Sequence, residues 1–256
     1  RTIQPQAITC FGIKDYKAFF KTNGDFPFDI FAASFYLLSR YEEYLPHQKD
    51  IYGRYAHENS IAFKEGFLSL PLINIWLDDF KKSLQLKFPS FKPKARNFKL
   101  LPTYDIDEAY SYKYKEWWRS AGAAIKDLLK GRFNRVTLRR NVLKNKVQDP
   151  FDAYEWMDKL HQDYNLKPGY FFLVPEKTGK YDRNILPNQT ALQDLMKRHA
   201  EKYSIGVHPS WQSGDKPMLI NKEKETIEKI TQIKVISSRQ HYIRFTLPQT
   251  FRNLID

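Results

Sequence analysis

The stretch Phe98-Lys-Leu-Leu-Pro-Thr-Tyr-Asp-Ile-Asp107 decides how we interpret this chain. Its short apolar run follows a proline-rich segment and predicts a buried strand. Asp105 and Asp107 stand at the end of that strand, where parallel α/β sheets carry their sites. Side chains two residues apart share a face of a strand, so we expect both carboxylates on one face. The structural alternative is that Asp107 caps a helix beginning at Glu108.

Length and composition limit the class of protein. The 256 residues allow one large domain or two smaller ones, and a hydrophobic content of 42% excludes a disordered chain. The single cysteine, Cys10, excludes an internal disulfide and a cysteine-based zinc framework, which leaves histidines and carboxylates as metal ligands. No apolar run reaches about eighteen residues, so we expect no membrane-spanning helix and favour a cytoplasmic or membrane-peripheral location. The chain opens at Arg1 and stops at Asp256 within an amphipathic pattern, so we expect a fragment of a longer protein.

A connector divides the chain near residue 96. Residues 87–96 contain two prolines and four Lys or Arg residues, a composition typical of a linker. We therefore predict an N-terminal accessory domain over residues 1–96, small and of α/β or α+β class, with amphipathic helices over residues 29–45 and 72–86. The second predicted domain covers residues 97–256.

Strand and helix patterns alternate in the second domain. Further strands are predicted at 169–174, 204–208 and 234–238, and helices at 152–164, 189–203, 221–233 and 248–255. This alternation predicts an α/β fold with a parallel sheet. Four such units are about half of an eight-stranded barrel, so we expect a partial (β/α) barrel.

A basic helical insertion is predicted at about residues 111–150. Its portion from Ser111 to Lys146 contains eleven Lys or Arg residues and only two acids, Glu116 and Asp127, which gives 11 − 2 = +9 of the chain's +13. Aromatic residues alternate with these charges. Three interpretations stay open: a solvated insertion, a surface that binds an anionic membrane or acidic glycan, and, least favoured, a nucleic-acid surface.

Histidines and an arginine follow the later predicted strands. His208 ends the third strand, and Arg239 and His241 end the fourth, so they are expected to meet the two aspartates at one edge of the sheet. One aspartate and two histidines form a suitable catalytic site for a divalent metal, and the second aspartate is then free to act as a general base that Arg239 orients. By contrast, His161 and His199 are predicted to lie on helix surfaces without function.

These motifs resemble the NodB-homology polysaccharide deacetylases, which are metal-dependent carbohydrate esterases with a distorted (β/α) barrel. The stretch Thr103-Tyr-Asp-Ile-Asp107 is similar to their first motif, Gly206-Val-His-Pro-Ser-Trp211 to their second and Arg239-Gln-His-Tyr242 to their third. The resemblance covers about residues 98–256. It implies that Asp105 is the catalytic base, Arg239 its orienting partner, and Asp107 and His208 ligands of a divalent metal, most readily zinc. The stretch from Phe28 to Glu43 also resembles the module that precedes such domains in some bacterial homologues.

The second motif departs from the family. Gln212 stands where the family has a second histidine, and amides are poor ligands for zinc-like ions. His241 is our candidate for the missing ligand. The motif neighbours Tyr104, Ser210, Trp211 and Tyr242 are candidate substrate-binding residues.

Two main functions follow from this resemblance. The first is a hydrolase that removes acetyl groups from N- or O-acetylated sugars of a surface polysaccharide or its precursor. The second, favoured by Gln212, is a catalytically inactive glycan-binding or scaffolding protein on the same fold.

Overall fold

The computed structural model describes residue 5, residues 7–94 and residues 97–255, and these residues form a mixed α/β fold. They contain ten α-helices, one antiparallel sheet and one parallel sheet. The chain divides into two units: residues 1–98 with 245–256 (the first unit) and residues 99–244 (the second unit). None of the helices in the described residues combines the length and the apolar character that crossing a bilayer requires.

The first unit is built on buried aromatic rings. Its residues before position 99 form a strand hairpin and three α-helices: β1 (Phe11–Ile13), β2 (Tyr16–Ala18), α1 (Ile30–Leu38), α2 (Ile61–Lys64) and α3 (Leu72–Lys87). The rings of Phe19, Phe28 and Trp76 are almost fully buried, and Phe19 and Phe28 each contact Trp76 edge to face. The Trp76 indole donates a hydrogen bond to the Lys17 carbonyl at 2.9 Å, which ties α3 to the hairpin.

Helix α1 is shorter than the sequence pattern predicts. Asp29 caps it by accepting from the backbone N–H groups of Phe31 and Ala32. Arg40 then adopts a left-handed conformation (φ 54°), so the α-helix ends at Leu38 and a separate 3₁₀ turn covers Tyr41–Tyr44.

The second unit contains a three-stranded parallel sheet in the order β3–β4–β5. Its elements are β3 (Thr103–Ile106), α4 (Trp117–Leu129), α5 (Phe133–Leu143), α6 (Tyr154–Asp163), β4 (Gly169–Phe172), α7 (Thr190–Ala200), β5 (Ser204–Val207), α8 (Trp211–Asp215) and α9 (Met218–Thr231). Thr103 pairs with Gly169, and Gly169 pairs with Ser204. The three strands therefore end at the same edge of the sheet.

The first strand begins later than predicted. Phe98, Leu100 and Leu101 lie outside it and are exposed. Pairing starts where the Gly169 N–H donates to the Pro102 carbonyl at 3.0 Å. The residue before Gly169 is Pro168, which has no N–H to donate, so the ladder cannot extend further back in the same way.

The predicted fourth strand is reduced to one parallel bridge, Val207 to Ser238. The Val207 N–H donates to the Ser237 carbonyl, and the Arg239 N–H donates back to the Val207 carbonyl. This pair of hydrogen bonds is nevertheless enough to bring Arg239 to the edge where β5 ends.

The prediction that His161 and His199 lie on helix surfaces is wrong. Both are buried because α6 and α7 turn these faces toward the sheet. The Nε2 atom of His161 lies 2.9 Å from the Tyr104 hydroxyl, and the His199 ring packs 4.4 Å from the ring of Tyr170. Burial lowers the pKa of His199 to about 4, so this histidine is neutral and structural.

Helix α10 (Gln249–Ile255) follows the second unit in sequence but belongs to the first. The sequence analysis had assigned this segment to the second domain. Phe245 packs on Phe251 and receives the Arg40 guanidinium over its ring at 5.2 Å. These contacts account for the place of helix α10 in the first unit.

Candidate metal centre

Asp107, His208 and His241 converge at the carboxyl edge of the parallel sheet. Asp107 Oδ1 lies 3.0 Å from His208 Nε2 and 3.2 Å from His241 Nδ1, and the two histidine nitrogens are 2.9 Å apart. Tetrahedral ligands that each lie about 2.0–2.2 Å from one zinc-type ion are themselves about 3.3–3.6 Å apart. The three donor atoms are therefore close enough together that they could hold one metal ion.

Backbone carbonyls determine which histidine nitrogens face this point. The Nδ1 atom of His208 lies 2.5 Å from the Arg239 carbonyl, and the Nε2 atom of His241 lies 3.1 Å from the Tyr181 carbonyl. A carbonyl only accepts, so each of these nitrogens donates its proton outward. In the neutral rings the opposite nitrogens then carry lone pairs toward Asp107. Two lone pairs and a carboxylate oxygen therefore face one another, and the outward hydrogen bonds to carbonyls are of the kind that metal-ligating histidines make.

The side chains of the cluster shift the pKa values of Asp107 and His241. Burial opposes ionisation of Asp107, but the favourable interactions of its carboxylate with His208 and His241 outweigh that effect and hold the pKa of Asp107 far below its usual range. Burial likewise opposes a charge on His241, yet its contacts with Asp107 and the Tyr181 carbonyl raise the pKa of His241 above 6.5. Asp107 therefore makes protonation of His241 easier than protonation of a free imidazole.

Asp105 lies beside this cluster and is paired with Arg239. The Arg239 Nη1 donates to Asp105 Oδ1 at 3.2 Å, and its Nη2 donates to the Thr103 hydroxyl at 2.6 Å. The guanidinium also lies 4.8 Å above the Phe171 ring, on the neighbouring strand. These three contacts hold the arginine in one orientation while both charged groups remain partly exposed.

The two aspartates line one open cleft. Its volume is about 800 Å³, and its walls include His208, Arg239 and His241 as well as Tyr181 and Tyr242. The alternative in which Asp107 caps a following helix does not apply, because the next helix begins only at Trp117. Asp107 is half-exposed toward the cleft and free to bind a ligand there.

Close packing of β5 places His208. A Cβ atom on Gly206 would lie 2.6 Å from Ser237 Oγ and 2.7 Å from the Phe171 ring, so only glycine lets the chains approach this closely. The His208 N–H then donates to the Phe172 carbonyl at 2.9 Å. The imidazole is thus fixed directly beyond the strand end.

The candidate substrate-binding residues fall into two groups. Tyr104 and Ser210 are engaged structurally: Tyr104 contacts His161, and Ser210 is buried as the N-cap of α8, accepting from the Ser213 N–H. Tyr242 lines the cleft, and Trp211 stacks on Tyr181 at 3.9 Å. The structure therefore leaves Tyr242 and the Trp211–Tyr181 pair as the aromatic surface next to the cluster.

Gln212 is occupied elsewhere. Its Nε2 donates to Asp182 Oδ2 and to the Lys177 carbonyl, both at 3.0 Å. His241, which reaches the cluster from the 3₁₀ turn His241–Ile243, supplies the third donor instead.

Sequence analysis missed the loop between β4 and α7. Asn184 is buried there and joins two strand ends, donating to the carbonyls of Ile106 and Leu173 while accepting from the Ala109 N–H. Tyr181 on the same loop fixes His241. A polar segment with Gly and Pro that follows a strand in an α/β sheet is the sequence signal that points to such a loop.

Comparisons with known proteins bear on the first unit. Residues 1–89 match a family of unknown function (DUF7033). Neither the curated proteins nor the solved structures gave a match. The matched residues contain none of the cluster's ligands, so the family match does not bear on the function of the second unit.

Proposed function

We propose that the second unit is a metal-dependent hydrolase that removes acetyl groups from N- or O-acetylated sugars, built on part of a distorted (β/α) barrel of the polysaccharide-deacetylase type. One observation carries the proposal. Asp107, His208 and His241 direct three electron-pair donors at one point, and a second carboxylate with its own arginine stands beside them in an open cleft. That combination is what metal-assisted hydrolysis requires.

The protein's own residues divide the work. Asp107, His208 and His241 would hold a divalent ion, zinc being the best match to this set of ligands. Such an ion, when bound, supplies Lewis-acid polarisation of the acetyl carbonyl and lowers the pKa of water. Asp105 accepts the proton from the attacking water, and Arg239 orients that carboxylate through their ion pair.

The cleft suits a sugar. It is open, and Tyr181 and Tyr242 contribute aromatic rings to its wall, 5.3 Å apart and nearly perpendicular. Trp211 supports the Tyr181 ring by stacking on it. Aromatic rings bind the apolar C–H face of a pyranose, while the polar lining serves its hydroxyl groups. The order of the three motifs along the chain also agrees with the polysaccharide deacetylases.

The test measures metal content and acetate release on the full chain. We expect one zinc or similar ion per chain, lost in Asp107→Ala and His241→Ala but kept in the matched control Gln212→Ala. Replacing an outer partner of a metal site typically costs about 10–100-fold in affinity, so removing a ligand is expected to cost more. Acetate release from N-acetylglucosamine oligosaccharides and from O-acetylated xylan oligosaccharides tests the reaction.

A glycan-binding protein without catalysis is the second candidate, and Gln212 in place of the family's second histidine favours it. Absence of bound metal, no acetate release and retained binding of the same oligosaccharides would establish that alternative. Metal binding retained in His241→Ala and lost in Gln212→Ala would contradict the ligand set proposed above.

A further inference from the structure

The helical hairpin formed by α4 and α5 (the basic hairpin, residues 117–143) has one buried ion pair between its helices. Asp127 and Arg139 form an ion pair at 3.1 Å between the two helices, and both are buried. Arg139 also donates to the Ser120 carbonyl at 2.6 Å. The two helices are joined by a turn in which Gly131 has a positive φ of 65°. This interior is polar, whereas helix pairs in water usually place apolar residues between them.

The outer side of the hairpin is apolar and exposed. At 3.6 residues per turn, one side of α4 carries Trp117, Trp118, Ala121, Ile125, Leu128 and Leu129. Trp117 is 81% exposed and Leu129 85%. Phe133, at the start of α5, is 65% exposed and extends this surface past the turn. A contiguous exposed apolar surface of this kind is typical of a site that contacts a partner or a membrane.

Basic side chains border this apolar surface without acidic neighbours. Lys126, Lys130, Arg132, Arg140 and Lys144 are all exposed. The two acids of residues 111–146 are Glu116, at the N-cap of α4, and Asp127, which is buried between the helices. The exposed surface of the hairpin therefore combines aromatic and aliphatic residues with uncompensated positive charge.

We propose that the basic hairpin docks on the surface of an anionic lipid bilayer, independently of the function proposed for the metal centre. Trp117, Trp118 and Leu129 enter the headgroup region, and the Lys and Arg side chains contact lipid phosphates. Tryptophan prefers the membrane interface because its ring is apolar and its indole N–H is polar. Charge complementarity alone would also fit nucleic acid, but exposed Leu and Ile side chains gain nothing from a phosphate backbone.

The test is co-sedimentation of the full chain with vesicles of equal parts phosphatidylglycerol and phosphatidylcholine, and with pure phosphatidylcholine. We expect at least about tenfold tighter binding to the anionic vesicles and a weakening of that binding by salt. A blue shift of tryptophan fluorescence on binding, absent in Trp117→Ser/Trp118→Ser, would locate the contact.

Three matched variants separate charge, apolar contact and net charge. Lys126→Glu/Lys130→Glu/Arg132→Glu removes the basic border, and Trp117→Ser/Trp118→Ser/Leu129→Ser removes the apolar surface. Each is expected to lose at least about tenfold in vesicle binding. Lys81→Glu/Lys197→Glu/Lys216→Glu makes the same charge change at exposed lysines elsewhere and is expected to bind within about twofold of the parent. Circular dichroism verifies that all three are folded.

Several outcomes overturn the proposal. They are a parent chain that does not sediment with anionic vesicles, and a control variant that loses as much binding as the hairpin variants. Salt-sensitive RNA binding in a filter assay, without vesicle binding, would assign the hairpin to nucleic acid. Self-association that is lost only in the apolar variant, again without vesicle binding, would assign it to a second copy of the chain.

Discussion

The metal centre and the basic hairpin both belong to the second unit, and they differ in the kind of side chain that they present to a ligand or partner. At the metal centre three electron-pair donors lie 2.9–3.2 Å apart with no fixed positive charge among them. In the hairpin the interior charges are already paired, as Asp127 with Arg139, and it is the apolar side chains that remain uncovered. We therefore propose a cation as the ligand of the first region and a lipid surface as the partner of the second.

This difference shows how a binding region can be recognised from physical chemistry. Buried polar groups are normally hydrogen-bonded, and large apolar side chains are normally covered. A region that departs from one of these rules identifies the chemistry of what it binds. Four experiments test the comparison, and they are arranged here from the largest expected effect to the smallest.

Asp105→Asn tests the division of labour at the metal centre. The amide keeps the shape but cannot accept a proton, so kcat of deacetylation is expected to fall by about 10²–10⁴-fold while the metal is retained. Steady-state kinetics together with metal analysis of the same preparation measure this. If the variant loses its metal as well as its activity, Asp105 is a metal ligand like Asp107 and the two aspartates do not have separate roles.

Arg139→Met tests whether the hairpin's interior depends on its ion pair. Removing one partner of a buried pair typically costs about 3–5 kcal/mol, because Asp127 is left buried and unpaired. Urea unfolding followed by circular dichroism measures the loss. The matched double variant Asp127→Leu/Arg139→Met is expected to be close to the parent, since apolar pairs replace buried ion pairs well. A single variant as stable as the parent would show that the charges are not needed inside.

Metal affinity should depend on pH through His241. The pKa of His241 is raised, so in the metal-free protein its proton stabilises the fold below pH 6.5, and that stability is lost as the pH rises through the raised pKa. The metal displaces this proton, so affinity is expected to rise about tenfold per pH unit below that pKa and to level off above it. Titration calorimetry between about pH 5.5 and pH 8.5 measures the slope. A metal affinity that does not change with pH would mean that no proton competes with the metal for His241.

Trp117→Ser/Ile125→Ser tests whether the apolar surface of the hairpin supports the fold. Exposed side chains usually change stability by no more than about 0.5 kcal/mol, and we expect a free energy of unfolding within that range. Thermal unfolding of the variant beside the parent gives the answer. A larger loss would mean that these side chains pack on the protein in solution, and would remove the contrast with the metal centre.

Local patterns in the sequence determined most of the elements. Apolar runs identified the parallel strands, and a period of 3.6 residues identified helices α6, α7, α9 and α10. The spacing of Asp105 and Asp107 placed both on one side of a strand end, and the structure shows both lining the same cleft. Such features follow from backbone geometry within a few residues, which is why the sequence alone can predict them.

Long-range packing decided the rest. His161 and His199 have polar neighbours in sequence, yet the sheet that covers them is assembled from distant segments. The tautomers of His208 and His241 depend on the carbonyls of Arg239 and Tyr181, which only the folded chain brings within reach. No local spacing encodes these contacts.

The basic hairpin illustrates the same limit for surfaces. The sequence predicts a basic helical insertion here but neither its division into two helices nor which side of each helix meets the other. Only the tertiary structure placed Asp127 and Arg139 between them and left Trp117 and Leu129 exposed to solvent. The physical reason is that a helical period determines which residues share a face, whereas the partner of that face is determined by packing.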